Sequence, residues 1–275
     1  TAFITKDETS YNAIKQLVNE LNTKGYKKAQ PIHVMPDKIE ISRFKDKYLG
    51  LDSVPIGIAA ETLNSVIYDF KKKCCNIISA SEIENASLFI NNIIKVLSMN
   101  NNSFGVSIVD AINYYDKFEY QINYINKDYN KLIDNVNNIN ENIQKVLVDN
   151  DMNFRTIENV KNTLIVVIGF EKFFNKLDDE HKTIFKKILN DNKEYAKINF
   201  IFIDIPISFK KYEFDEWYKS NFDGNNGIWI GGGLYQQFVL KTSIQRTSLG
   251  NIDNTRAIVI KNALPIEVKL INEVK

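Results

Sequence analysis

Between Ser79 and Ser87 the chain reads SASEIENAS, where an apolar run turns into a helical pattern. A phosphate-binding junction of this kind uses G-x-x-x-x-G-K-[ST]. The glycines permit close backbone approach, the lysine meets the β- and γ-phosphates, and the hydroxyl meets Mg²⁺. The helix N-terminus adds free N–H groups and its dipole. The spacing here is right, but the residue types are not. Ala80 stands at the first glycine, Asn85 at the second and Ala86 at the lysine; only Ser87 is kept. Asn tolerates positive φ, so a turn remains open to it. The lysine has no substitute, and a charge-assisted hydrogen bond is worth roughly 1.5–3 kcal/mol. Glu82 and Glu84 put negative charge where phosphate would sit, yet both suit the first turn of a helix. Two readings follow: a strand–turn–helix with an acidic cap, and a surviving nucleotide site.

Phosphoryl transfer also needs an apolar strand ending in an acid that holds Mg²⁺. TLIVVIGFEKFF supplies the strand, but Ile168 and Gly169 occupy its end and the nearest acid, Glu171, comes late. Two independent losses argue for lost hydrolysis. Asp110 and Asp204 also end apolar strands, either as turn caps or as polar groups near a crevice. Gly231 to Gly233 fit no phosphate fingerprint and no helical pattern follows, so a tight turn is expected. Trp229 reads equally as a partner anchor or as core. Trp217, Tyr218 and Phe222, with Tyr212 and Phe214, either line an apolar groove for an incoming helix or pack under a long connection. Cys74 and Cys75 are adjacent and precede an apolar run, so they are expected to be buried thiols. With only His33 and His181 besides, no metal site is expected.

The elements that must position these residues alternate. Residues 7–24 read as an amphipathic helix with Ile14, Leu17, Val18 and Leu21 on one face, stopped by Gly25. A proline-bearing linker containing Pro31 and Pro36 follows, with a boundary near residue 40. Strands are expected at 54–58, 65–70, 75–79, 104–109, 163–168 and 198–205, and helices at 82–99, 113–148 and 178–195. Residues 227–240 and 256–271 read as strand and turn. Apolar strands alternating with helices predict an α/β fold, with a mostly parallel central sheet covered on both faces. No internal repeat is present.

Composition narrows the function. The 275 residues carry 35 basic and 34 acidic side chains, a net charge of +1 that leaves no electrostatic footprint for nucleic acid. Only four of the basic residues are arginine, and the Lys, Asn and Ile bias is that of an AT-rich genome. No apolar stretch approaches the ~18 residues of a membrane helix. The chain starts at Thr1 rather than Met, as a piece of a longer protein would.

The segment VPIGIAAETLNSVIYDFKKKCCNIISASEIENAS resembles the strand pair and phosphate-loop region of the FtsK/SpoIIIE family of P-loop ATPases. PIHVMPDKIE, PIGIAAETLNSVIYDF and NNGIWIGGGLYQQFVLK are similar, within that family, to the C-terminal ATPase domain of type VII secretion coupling proteins of Firmicutes. About residues 30–245 carry the resemblance. It implies a RecA-like P-loop NTPase fold, with an N-terminal helix and inter-domain linker over 1–40 and a degenerate ATPase domain over 41–275. It implies a parent protein anchored in the cell membrane, with tandem ATPase domains in the cytoplasm, ATP and Mg²⁺ as cofactors, and hexameric assembly. Its partners would be neighbouring ATPase domains and small helical-hairpin substrates of the WXG type. By position, Ala80, Ala86 and Ser87 match the family's phosphate-loop glycine, lysine and serine, and Ile168 or Gly169 matches the Mg²⁺-holding acid. The expectation is substrate docking and motor assembly with little or no hydrolysis, and no cofactor in this domain. The alternative is a weak ATPase active only in a hexamer, with Arg155, Arg246 and Arg256 contacting neighbours.

Overall fold

The computed structural model describes residues 8–24, 34–44, 54–99, 104–243 and 252–272. It divides into two units, Thr1–Val34 and Met35–Lys275. In the first, helix α1 (Glu8–Thr23) carries the expected stripe of Ile14, Leu17, Val18 and Leu21, all exposed. Gly25, Pro31 and His33 lie outside the described residues.

The second unit is built on a ten-stranded sheet in the order β2-β1-β10-β9-β8-β3-β7-β6-β4-β5. Its parallel part comprises β3 (Cys75–Ala80), β4 (Phe104–Asp110), β5 (Asn123–Ile125), β6 (Asn162–Ile168), β7 (Ile198–Asp204) and β8 (Gly227–Ile230). The antiparallel part is β1 (Val54–Ala59), β2 (Ser65–Tyr68), β9 (Arg256–Lys261) and β10 (Leu264–Leu270). The apolar runs read from sequence are the strands covered on both faces. Ile77, Ile165, Val167, Phe200 and Phe202 point to one layer, and Ile78, Leu164, Val166, Ile201 and Ile203 to the other. That is the period of two a strand imposes. The first layer contains α3 (Tyr129–Val148), α4 (Phe170–Lys176) and α5 (Asp179–Asp191). The second contains α2 (Ser87–Met99), together with Ile39, Ile41 and Phe44, which therefore belong to this unit.

The helix expected over 113–148 is correct only from Tyr129 onward. Residues 111–128 instead form an irregular aromatic segment that includes β5. The cause is Asp110, which is fully buried. Its carboxylate accepts from the Tyr114 N–H at 2.8 Å, the Tyr115 N–H at 3.0 Å and the Tyr124 hydroxyl at 2.7 Å. These bonds take backbone donors a helix would use, and Asn113 and Asp128 adopt positive φ. Phe118 then stacks on Tyr124 at 4.3 Å. Asp110 is thus a turn cap. The helix expected over 178–195 ends at Asp191, because the buried Asn192 amide accepts from the Ile198 N–H and donates to the Ile188 carbonyl. The strand expected from 227 stops at Ile230, where Gly231 and Gly233 make the turn with φ of 71° and 86°. Cys74 and Cys75 are both buried, and burial pushes the Cys75 thiol up.

His181, at the start of α5, ties that helix to α3. Its Nδ1 lies 2.7 Å from Asp178 and its Nε2 lies 3.2 Å from Asp134. The hydrogen bond to Asp178 raises its pKa above the ordinary value, against a smaller opposing effect of burial.

Two predictions follow from these caps. Asp110→Ala should cost about 3 kcal/mol in urea unfolding, since it leaves three part-buried donors without their acceptor. A raised histidine pKa stabilises fully below the unfolded value of about 6.5, and that contribution is lost as pH rises through the folded value. The wild-type urea midpoint should therefore fall above pH ~6.5, and His181→Gln should flatten that slope.

Candidate functional site

Register brings the ends of four strands into one row. Ser79 pairs with Asp204, Ile203 with Ile168, and Ile168 with Asp110. This is the carboxyl edge of the parallel strands, where open α/β sheets bind ligands. β7 lies between the strand carrying the phosphate-loop position and the strand carrying the metal-acid position.

The 79–87 junction leaves β3 at Ala80 and closes into a 3₁₀ turn over Ile83–Ala86 before α2 begins at Ser87. No residue of this loop has positive φ. It therefore lacks the alternating left-handed backbone that aims successive N–H groups at an anion. Asn85 spends its side chain on Ser81 at 2.8 Å and on Asn254 at 2.8 Å. Ala86 is 0% exposed, in the core under α2. Ser87 is half-buried, with its hydroxyl bonded to Tyr114.

At the other strand end Ile168 is buried. Gly169 adopts φ 85°, and a Cβ there would meet Ile112 at 2.4 Å. An acid at Gly169 would be strained in its backbone and crowded by the Ile112 side chain. Glu171 forms an ion pair with Lys211. Asp204, buried at the end of β7, accepts from the Glu171 N–H at 3.0 Å and the Ile205 N–H at 2.8 Å. Burial raises its carboxyl above the usual carboxylate range, and those donors pull it back.

A cleft of about 380 Å³ opens at this edge, with Glu82, Glu84, Glu171, Asp204 and Lys172 as its charged lining. Even with Glu171 neutralised by Lys211, three carboxyl groups face one lysine. The residues do not fit a triphosphate with its metal: phosphate would meet net negative charge and a lysine-free turn. Among the described residues no group of three or more His, Cys, Asp or Glu is placed to hold a metal ion.

Among the described residues no arginine lines the cleft. Arg155 precedes β6 and so lies at the opposite edge of the sheet. Arg256 pairs with Glu267 at 2.5 Å, and Arg246 lies outside the described residues.

The aromatic candidates divide. Trp229 is 1% exposed, with its Nε1 donating to the Gly232 carbonyl at 3.1 Å; it is core, and the anchor alternative is corrected. Two short helices, α6 (Pro206–Lys210) and α7 (Glu216–Asn221), bracket the others: α7 carries Trp217 and Tyr218, Phe222 is its C-cap, and Tyr212 and Phe214 lie between the two helices. Trp217 is half-buried and stacks on Phe174 at 4.9 Å. Tyr218 stacks on Phe222 at 4.3 Å, and this pair forms part of the floor of a separate groove of about 660 Å³. Sequence reasoning missed Ile207 and Phe238 on its lip, since a five-residue helix and a loop leave no periodic signal.

No known family profile matches the chain, and no curated protein does. Solved structures do. EssC (ATPases 2 and 3) from Geobacillus thermodenitrificans superposes with a TM-score of 0.65 at 16% identity, covering 97% of this chain and 51% of that one. Thermomonospora curvata EccC (ATPases 2 and 3), in complex with a signal sequence peptide, gives 0.64 at 13% identity, covering 99% and 50%. The pCW3 conjugation coupling protein TcpA, a monomer form with ATPγS, gives 0.60 at 14%, covering 94% and 81%. The chain thus spans about half the length of the EssC and EccC structures. Its fold is that of the P-loop ATPase domains of EssC, EccC and the FtsK-like TcpA. No described helix is long and apolar enough to cross a membrane.

Because Ala86 is sealed in the core, a lysine placed there should not create a phosphate site. Ala86→Lys should lower stability by about 3 kcal/mol through overpacking and a buried charge, read by thermal melting, with no gain in ATP binding.

Proposed function

We propose that this chain is a C-terminal ATPase-fold domain of an EssC-type secretion coupling protein, one that docks substrates and helps assemble the motor while turning over little or no ATP. The observation that carries the reading is the acid-lined cleft at the carboxyl edge of β3, β7 and β6. The scaffold keeps the strand order that would present a nucleotide site, yet the edge itself repels phosphate. Catalysis of phosphoryl transfer is almost wholly charge stabilisation and positioning. An edge carrying Glu82, Glu84 and Asp204, with no acid at Ile168 or Gly169, supplies neither the cation nor the metal grip. No cofactor belongs to this domain on this reading; ATP and Mg²⁺ belong to the other ATPase domains of the parent.

Two neighbours of the same fold support a division of labour. The TcpA structure holds ATPγS, whereas the EccC structure holds a signal sequence peptide. A domain that has lost the first capacity can retain the second. The partners proposed are small helical-hairpin substrates of the WXG type and adjacent ATPase domains, in a hexameric parent held at the cytoplasmic face of the cell membrane. The second reading, a weak ATPase completed by neighbours in the hexamer, keeps Ser87 as its one matching loop residue.

Isothermal titration with ATP–Mg²⁺ separates the two. Silence up to millimolar nucleotide is the expected result, and micromolar binding would establish the second reading instead. Pulldown with purified WXG-type proteins should recover at least one; recovery of none would count against the docking role.

A further inference from the structure

β2 is the terminal strand at one end of the sheet, so only one of its two edges is paired. The Ala59 N–H donates to the Asn64 carbonyl at 2.9 Å, and Val66 stands opposite Gly57. Main-chain groups alternate in direction along an antiparallel strand. Asn64, Val66 and Tyr68 therefore turn theirs to β1, while Ser65 and Ile67 turn theirs outward. Among the described residues the N–H groups of Ser65 and Ile67 and the Ser65 carbonyl make no hydrogen bond. The Ile67 carbonyl accepts only from the Lys261 Nζ, in an exposed contact of 3.4 Å. A lysine laid across an edge strand is a guard against chance pairing, and one bond of that length is a weak one.

That contact also shows what the edge faces. Lys261 ends β9, so the outward groups of β2 look across at the β9–β10 hairpin over a concavity of about 830 Å³. Ser65, Val66 and Ile67 form one wall, and Lys261, Pro265 and Ile266 the other. Ile67 is half-buried, Ile266 is 36% exposed, and Leu264 at the hairpin tip is 60% exposed. Charge is balanced here. Glu267 is taken by Arg256, which leaves Glu61 and Lys261, one of each sign. The hairpin wall offers no strand edge of its own. The Ala60 N–H donates to the Glu267 carbonyl at 2.8 Å, so the odd-numbered residues of β10 face β1. Beyond the end of β1 the next of these is Pro265, which has no N–H to give. The open edge is thus that of β2 alone.

We propose that this concavity takes an extended segment of another protein, which adds to β2 as a further strand. Free main-chain donors and acceptors at strand spacing are matched in register by another extended backbone. A helix has spent its own main-chain groups internally and cannot meet Ser65 and Ile67. Alternate side chains of the segment, β-branched or aromatic, would lie against Ile67 and Ile266. With the charges balanced, main-chain bonds and apolar contact carry the affinity. The site shares no lining residue with the acidic cleft or with the groove beside α6, and it does not rest on the secretion reading.

The test uses displayed short linear peptides, depleted on the Ser65→Pro variant and then selected on the whole chain. Proline at this position removes the outward N–H and leaves the β1 ladder intact, and the first residue of an edge strand tolerates it. Melting temperature is the control for folding. The expected winners alternate apolar and polar residues. The best is then synthesised with a fluorescent label and N-methylated at one residue at a time. Methylation at every second position should weaken binding roughly tenfold, and methylation at the positions between should leave it unchanged, a period that a paired strand imposes. Saturating peptide should slow amide exchange at Ser65 and Ile67, and added salt should change the affinity little. No enrichment, a methylation profile without that period, or unchanged exchange at Ser65 and Ile67 would overturn the proposal. So would a dimer in sedimentation that Ser65→Pro dissociates, since the edge would then join two copies of this chain.

Discussion

Two-sided burial of the parallel strands is the constraint on which the rest of the molecule depends. β3, β7, β6 and β4 each send alternate side chains into layers that exclude water on both sides. A strand placed this way cannot slip by one residue without exchanging its two faces. Register is therefore fixed, and with it the row formed by Ser79, Asp204, Ile203, Ile168 and Asp110 at the carboxyl edge. Each fully buried Ile or Phe contributes roughly 1.5–3 kcal/mol, so polar residues at the strand ends can change without threatening the sheet.

Those strand ends have been turned inward. In a nucleotide-binding edge, backbone N–H groups stay open to an incoming anion. Here Asp204 takes the N–H groups of Glu171 and Ile205, and Asp110 takes those of Tyr114 and Tyr115. The chain's own carboxylates thus take up backbone donors beside this edge. Glu82 and Glu84 on the neighbouring turn add charge of the same sign. The edge is internally satisfied, which stabilises the loops and works against a phosphate.

α6 joins this edge to the groove behind it. One face of this short helix meets the acidic cleft and the other the lysine-lined apolar groove, so the molecule presents opposite electrostatic character across a single turn of helix. Concavities of such different chemistry share one scaffold, since function resides in sites rather than in folds.

Much of this was legible in the residues. NFIFI and LIVVI are central strands because near-continuous apolar runs of that length have no other stable place, and the Ala80–Ser87 spacing marked the junction where phosphate chemistry had to be sought. The first part of the helix expected over 113–148 failed because the pattern counts apolar residues and not which donors a buried carboxylate captures; Asp110 lies outside that window. Trp229 stood evenly between core and surface because a tryptophan suits both, and only pairing of β8 with β3 and β9 buried it. The groove was invisible as a whole. Ile207, Phe222, Phe238 and Lys241 come from a short helix, a helix end and a loop, without periodicity. The amino-acid sequence determined the layers, the strand ends and which residue types stand at the strand-to-helix junction, because these are local matters of pattern and charge. The tertiary structure alone decided which distant side chains share a concavity, because that follows from register and packing between segments far apart in the chain.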